Sequence, residues 1–141
     1  MMKGLLNICL VLFLTLFQTA YAGSCFEKPG DFDDCLIKAK QEDARAQYAL
    51  GWIYRGNKDI PNDVTEDYEE SVKWYGKAAE QGHAKSQTWL GAMYSLGWGV
   101  TQGYKETINW YRKAADQNET LAQLRLGSLY FNGWGVPKDV N

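Results

Sequence analysis

The sequence predicts an all-α fold built from repeated helix pairs, and three observations predict it. AQYALGWIY (46–54), SQTWLGAMY (86–94) and AQLRLGSLY (122–130) place Gln, Leu, Gly and Tyr at the same offsets. A second block, YEESVKWYGKAAEQG (68–82), recurs 36 residues later as YKETINWYRKAADQN (104–118). Both blocks also carry apolar residues at the helical period. In the second block Tyr68, Val72, Tyr75 and Ala79 form one stripe, matched by Tyr104, Ile108, Tyr111 and Ala115. In the first, Leu50, Ile53 and Tyr54 align with Leu90, Met93 and Tyr94, then with Leu126, Leu129 and Tyr130. Each unit reads as helix, loop, helix, tight turn.

The first 22 of the 141 residues read as a secretory signal peptide. Met1-Met2-Lys3 gives a positive start, Leu5 to Phe17 an apolar run, and Ala20-Tyr21-Ala22 a small-residue cleavage site, so the mature chain is expected to begin at Gly23. The run is shorter than the roughly 20 residues of a membrane span, which disfavours an uncleaved anchor. Ala22-Gly23-Ser24-Cys25 is a poor lipid-attachment site, with Ala where Leu is expected. Cleavage removes Cys9 and leaves Cys25 and Cys35 for an oxidising compartment, where a disulfide between them is the natural inference. Closing so short a loop contributes about 2.5 to 3 kcal/mol in the chain-entropy account.

Residues 23–43 form an N-terminal cap pinned by that disulfide, residues 44–82 a first repeat, 83–118 a second, and 119–141 a partial third. The first block recurs after 40 and then 36 residues, so the first unit holds four extra residues, which fall in a loop within Arg55 to Thr65. Gly82 and Asn118 close the second helices, since both residue types accept the left-handed conformation that ends helices. Gly51, Gly91 and Gly127 recur in mid-helix at a cost of about 1 kcal/mol each against Ala. Close helix approach against Ala78, Ala79, Ala114 and Ala115 is the expected reason. The third unit stops at Asn141, where its second helix would start, so the chain is expected to be incomplete as a solenoid, with Leu126, Leu129 and Tyr130 partly uncovered.

The pattern A-x-A-Q-x-x-L-G-x-x-Y, then G-x-G-V, then W-Y-x-K-A-A-E-Q-G, resembles the Sel-one-like repeat, a relative of the tetratricopeptide repeat, over about Ala44 to Asn141. The resemblance implies a right-handed superhelical solenoid of antiparallel helix pairs, here about two and a half repeats plus a capping helix, of a secreted or periplasmic bacterial type. Two departures stand out. Gly56-Asn57-Lys58-Asp59-Ile60 replaces Gly-x-Gly-Val in the first loop, and Asp34 and Cys35 stand where Trp74 and Tyr75 stand in the next unit. Asp33 to Asp43 therefore reads as a degenerate second helix.

Chemistry is sparse. Fifteen Lys and Arg against 17 Asp and Glu give a formal charge of −2 and no basic footprint for nucleic acid. The single histidine, His83, cannot form an imidazole pair, and it is expected to sit exposed in the turn between units. Asp59, Asp63, Glu66, Asp67, Glu69 and Glu70 lack calcium-loop spacing and suit a solvated loop and helix start. Neither Ser-x-x-Lys nor Gly-x-Ser-x-Gly occurs, so serine acyl transfer has no support. The resemblance brings in a link to β-lactam binding or hydrolysis among cysteine-rich secreted members. Those carry a cysteine pair in each repeat, whereas no cysteine follows Cys35 here. The chain is expected to use no metal or cofactor and to be no enzyme. The Asn118-Glu119-Thr120 sequon is explained by its helix-ending role.

Six Trp and nine Tyr are the compositional surprise. Trp74 and Trp110 belong to the repeat's Trp-Tyr pair and are core by resemblance. Trp98 and Trp134 occupy the open position of Gly-Trp-Gly-Val, while Trp52 and Trp89 lie on first helices at positions that differ between units. Positions 48/88/124, 49/89/125 and 52/92/128 hold Tyr/Thr/Leu, Ala/Trp/Arg and Trp/Ala/Ser. Such variation marks a face the fold does not dictate. Tyr48, Trp52, Trp89, Leu124, Arg125, Trp98 and Trp134 are accordingly expected to bind a protein or peptide partner. The competing reading packs these aromatics between neighbouring loops. A structural envelope spacer and the β-lactam-acting enzyme are the alternative functions.

Overall fold

A computed structural model describes residues 32–56 and 66–135. They form six helices, α1 (Phe32–Lys40), α2 (Ala44–Tyr54), α3 (Tyr68–Glu80), α4 (Ala84–Leu96), α5 (Tyr104–Ala115) and α6 (Thr120–Asn132), with no strand among the described residues. Each helix packs on the next, and the closest pairings are α2 with α3 and α4 with α5. These are the in-unit pairs. The signal segment 1–22, Cys25, Asp59, Asp63 and the chain after Gly135 lie outside the described residues.

Helix starts follow from local chemistry. The Asp43 carboxylate accepts from the N–H groups of Arg45 and Ala46, both at 2.9 Å, and begins α2. Asp67 does the same for α3 through the Glu70 N–H at 3.0 Å, with Glu69 and Glu70 in the first turn. Helix ends follow the repeat: Gly82 (φ 88°) and Asn118 (φ 63°) turn left-handed, as their types allow. Glu42 (φ 67°) adopts the same conformation after α1, where a side chain is tolerated less readily.

The recurring Gln is a structural tie. Gln47, Gln87 and Gln123 each donate from Nε2 to a last-turn carbonyl of the preceding helix, that of Ala39, Ala79 and Ala115, at 3.0, 3.0 and 3.2 Å. Each of these carbonyls also accepts the N–H of the turn residue Glu42, Gly82 or Asn118, so the glutamine amide takes up its second lone pair; Gln47 and Gln87 do so buried, Gln123 exposed. Gln81 and Gln117 extend the tie by donating to Gln47 Oε1 at 2.7 Å and Gln87 Oε1 at 2.9 Å. Because Ala39 receives the same bond, α1 occupies the place of a second helix.

Gly51 and Gly91 do meet close neighbours, but these are tyrosine rings and not the expected alanines. A Cβ on Gly51 would lie 2.6 to 2.8 Å from the Tyr75 ring, and one on Gly91 would lie 2.8 Å from the Tyr111 ring. The tyrosine rings lie over the helix backbone and leave no room for a methyl group. Gly127 meets nothing within 4 Å. On α6 the exposure falls on Leu124, Tyr130 and above all Phe131, which is 92% exposed, whereas Leu129 is buried against α5 and Leu126 is half-buried. Trp74 is buried as expected, but Trp110 is only half-buried, with the Lys113 ammonium 4.3 Å from its ring centroid.

His83 departs from the exposed position expected of it. It is half-buried, caps α4 and packs its ring 5.0 Å from that of Tyr48 in the preceding unit. Cys35 is fully buried in the cluster formed with Ala39, Ala46, Ala49 and Leu50.

Candidate functional site

The Gly-Trp-Gly loops position two indoles. Gly97, Gly99, Gly133 and Gly135 all have left-handed φ values of 67° to 71°, which Gly adopts without steric cost. Space is the second constraint: a Cβ on Gly99 would lie 2.3 Å from the Tyr68 carbonyl oxygen, and one on Gly135 would lie 2.6 Å from Tyr104 Cβ. Each loop thus rests on the start of the preceding unit's second helix. Trp98 consequently stacks on Tyr68 at 5.0 Å and 22°, and Trp134 on Tyr104 at 5.8 Å and 28°. The packing between neighbouring units is real, yet Trp98 and Trp134 remain 37% and 49% exposed. Each indole thus spends one ring face on packing between units and leaves part of the rest open.

Position 89/125 on the first helices faces the buried tyrosine of the preceding unit. Trp89 lies parallel to Tyr75 at 6.5 Å and 15°, and Tyr75 in turn packs on Tyr48 at 5.8 Å. Arg125, the equivalent of Trp89, lies beside Tyr111 in the same groove. Above Trp89 sits Arg55, its guanidinium carbon 3.8 Å from the ring centroid, a cation–π contact.

These residues enclose a groove of about 260 Å³ lined by Arg55, Trp89, Ala92, Ser95, Leu96, Trp98, Tyr111, Arg125, Ser128, Leu129 and Trp134. The lining includes no carboxylate. Burial, the larger effect, pushes the Tyr75 phenol above its ordinary pKa, and Arg55 opposes it. Tyr111 is likewise raised by burial and opposed by Arg125. Both phenols therefore stay protonated at neutral pH. The Tyr75 hydroxyl is buried and feels the Arg55 guanidinium, but no described group reaches it in regular hydrogen-bond geometry.

Of the seven residues the sequence nominates, the groove gathers Trp89, Trp98, Arg125 and Trp134. Tyr48 is instead half-buried between Tyr75 and His83, and Trp52 packs against the buried clusters around α2. Leu124 lies in a separate shallow depression on α6 with Gly127 and Phe131. A helix shows only part of its circumference to any one groove, so neighbouring variable positions point to different places. Arg55 is the residue that sequence reasoning missed. Its equivalents, Ser95 and Phe131, differ from it as sharply as Trp89 differs from Arg125, and that variation is the signal that could have found it.

The groove offers ring faces and guanidinium N–H groups along its lining. Among the described residues no cluster of three or more His, Cys, Asp or Glu side chains could hold a metal ion. No described helix is long and apolar enough to cross a membrane.

Comparison with known proteins agrees with the architecture. The family model described as Sel1 repeat matches residues 44–83, 84–119 and 120–141. Among solved structures, the chain is similar to c5321, a protective antigen present in uropathogenic Escherichia coli strains and displaying an SLR fold, at 36% identity and a TM-score of 0.68; the match covers 74% of this chain and 22% of that one. It is also similar to a Sel1 repeat protein from Oxalobacter formigenes, at 39% identity and a TM-score of 0.62, over 70% of this chain and 38% of that one. The chain thus spans less than two-fifths of either protein. A search of curated proteins found no match.

Proposed function

Because this chain belongs to the Sel1 repeat family, whose members are general protein-interaction scaffolds, we propose that it is a non-enzymatic module binding a peptide or protein segment in the groove between α4 and α6. One observation carries this reading: Trp89, Trp98 and Trp134 come from three separate elements and converge on one open groove with Arg55 and Arg125. Trp and Arg are among the side chains that dominate binding energy at interfaces, Trp through a large rigid contact area and Arg through its planar, multi-donor guanidinium. A groove of about 260 Å³ falls just below the usual range of cofactor and drug-sized pockets and suits one or two side chains of an extended segment. The same proposal includes export, with residues 1–22 removed and Cys25 joined to Cys35.

Selection of displayed random dodecapeptides on the full chain tests the reading. Enriched peptides should lose about 1 to 3 kcal/mol of affinity for Trp89→Ala and for Trp134→Ala, with helix content by circular dichroism unchanged. Undiminished binding to Trp98→Ala/Trp134→Ala and to Trp89→Ala, or no enrichment at all, refutes it.

A further inference from the structure

We infer that the groove selects acidic segments: an extended peptide whose Asp or Glu side chain lies within a residue or two of an aromatic or large aliphatic one. This rests on the peptide-binding reading and names the chemistry of the ligand. The charged residues lining the groove are both arginines, in a chain whose formal charge is −2. Neither has a carboxylate partner among the described residues, where the one ion pair is Lys73 with Glu70.

The geometry of Arg55 sharpens the point. Its guanidinium lies with its carbon 3.8 Å from the Trp89 centroid, so a ring face is spent on the cation. The N–H groups of a guanidinium lie in its own plane, so those not turned toward the Tyr75 hydroxyl can grip a carboxylate in a two-pronged fork. Arg125 is exposed on α6 and offers a second fork to the same groove, whose lining also includes Tyr111. In that lining Trp98 and Trp134 have partly open indoles that suit an apolar side chain. Two arginines suit one or two carboxylates. Nucleic acid needs a longer basic track, because its affinity is built from many phosphate contacts.

Fluorescence anisotropy with the full chain tests the inference, using dye-labelled Gly-Ser-Glu-Ala-Trp-Glu-Ser-Gly and its twin with both glutamates replaced by glutamine. The acidic peptide should bind about tenfold more tightly, and added salt should erode the difference. Arg125→Gln and Arg55→Lys should each remove most of that preference. Arg125→Gln changes an exposed side chain, and Arg55→Lys keeps the charge while losing the fork, so folding is retained in both. Arg112→Gln, whose guanidinium engages the Tyr130 hydroxyl away from the groove, should leave the preference intact. Equal binding of the two peptides overturns the carboxylate inference and leaves peptide binding standing. Tighter binding of a labelled oligothymidine than of the acidic peptide also overturns it. Failure of both labelled peptides overturns it as well, and only if the displayed library also yields nothing does the peptide-binding reading fall with it.

Discussion

His83 Nδ1 accepts from the Ser86 N–H at 3.3 Å and lies 2.8 Å from the Ser86 hydroxyl, so its capping role requires an unprotonated nitrogen. Burial lowers the His83 pKa most, Lys85 and Arg45 add to the shift, and Asp43 and Glu119 oppose it. A depressed folded-state value means that the unfolded chain takes up the proton first as pH falls. The stabilisation is therefore present above the unfolded value of about 6.5 and is lost as pH drops through the lower folded value. We expect the melting temperature to fall more steeply between pH 7 and pH 5 in the native chain than in His83→Asn, which can cap without titrating. NMR titration should place the imidazole pKa below 6.5; a value at or above it contradicts the account. The sequence located His83 in a turn but misjudged its burial, because the Tyr48 ring that covers it comes from 35 residues earlier and across a unit boundary. The Gln side chains show the opposite case. Their recurrence was plain in the sequence, but the carbonyl each one serves emerged only when neighbouring helices were placed side by side.

At the scale of elements, the mid-helix glycines divide into two kinds. Gly51 and Gly91 lie under the rings of Tyr75 and Tyr111, and Gly127 faces open space. Alanine gains about 1 kcal/mol of helix propensity at any of the three. At positions 51 and 91 the added methyl must displace a buried ring, an overpacking cost of about 1 to 3 kcal/mol. Gly51→Ala and Gly91→Ala should therefore lower the urea midpoint while Gly127→Ala raises it. Shifts of the same sign at all three positions would show that ring contact is not what keeps the glycines. The repeat made the need for close approach legible. It could not say whether alanine or tyrosine does the approaching, since both recur at fixed spacing on α3 and α5 and only the rotation of the helix pair chooses between them. The loops behave alike: Gly-Trp-Gly was readable as a motif, yet the reason for its second glycine is the backbone of the preceding unit.

At the scale of the whole molecule, export and the staple are open to one measurement. Intact mass of the exported protein should correspond to a chain starting at Gly23 and two hydrogens lighter than the reduced form. Reduction should lower stability by about 2.5 to 3 kcal/mol, since an eleven-residue loop is released. A mass that retains residues 1–22, or two free thiols, contradicts the expectation. Periodicity and turn chemistry along the chain determined the all-α class, the helix pairs, the left-handed stops at Gly82 and Asn118 and the family resemblance, because each depends on residues a few positions apart. Only the tertiary structure decided that Trp89, Trp98, Arg125 and Trp134 share a groove with Arg55 while Tyr48, Trp52 and Leu124 do not. Those residues lie up to 79 positions apart, between Arg55 and Trp134. Their convergence is set by the angle at which successive units stack, a quantity fixed by packing between helices and carried by no local stretch of sequence.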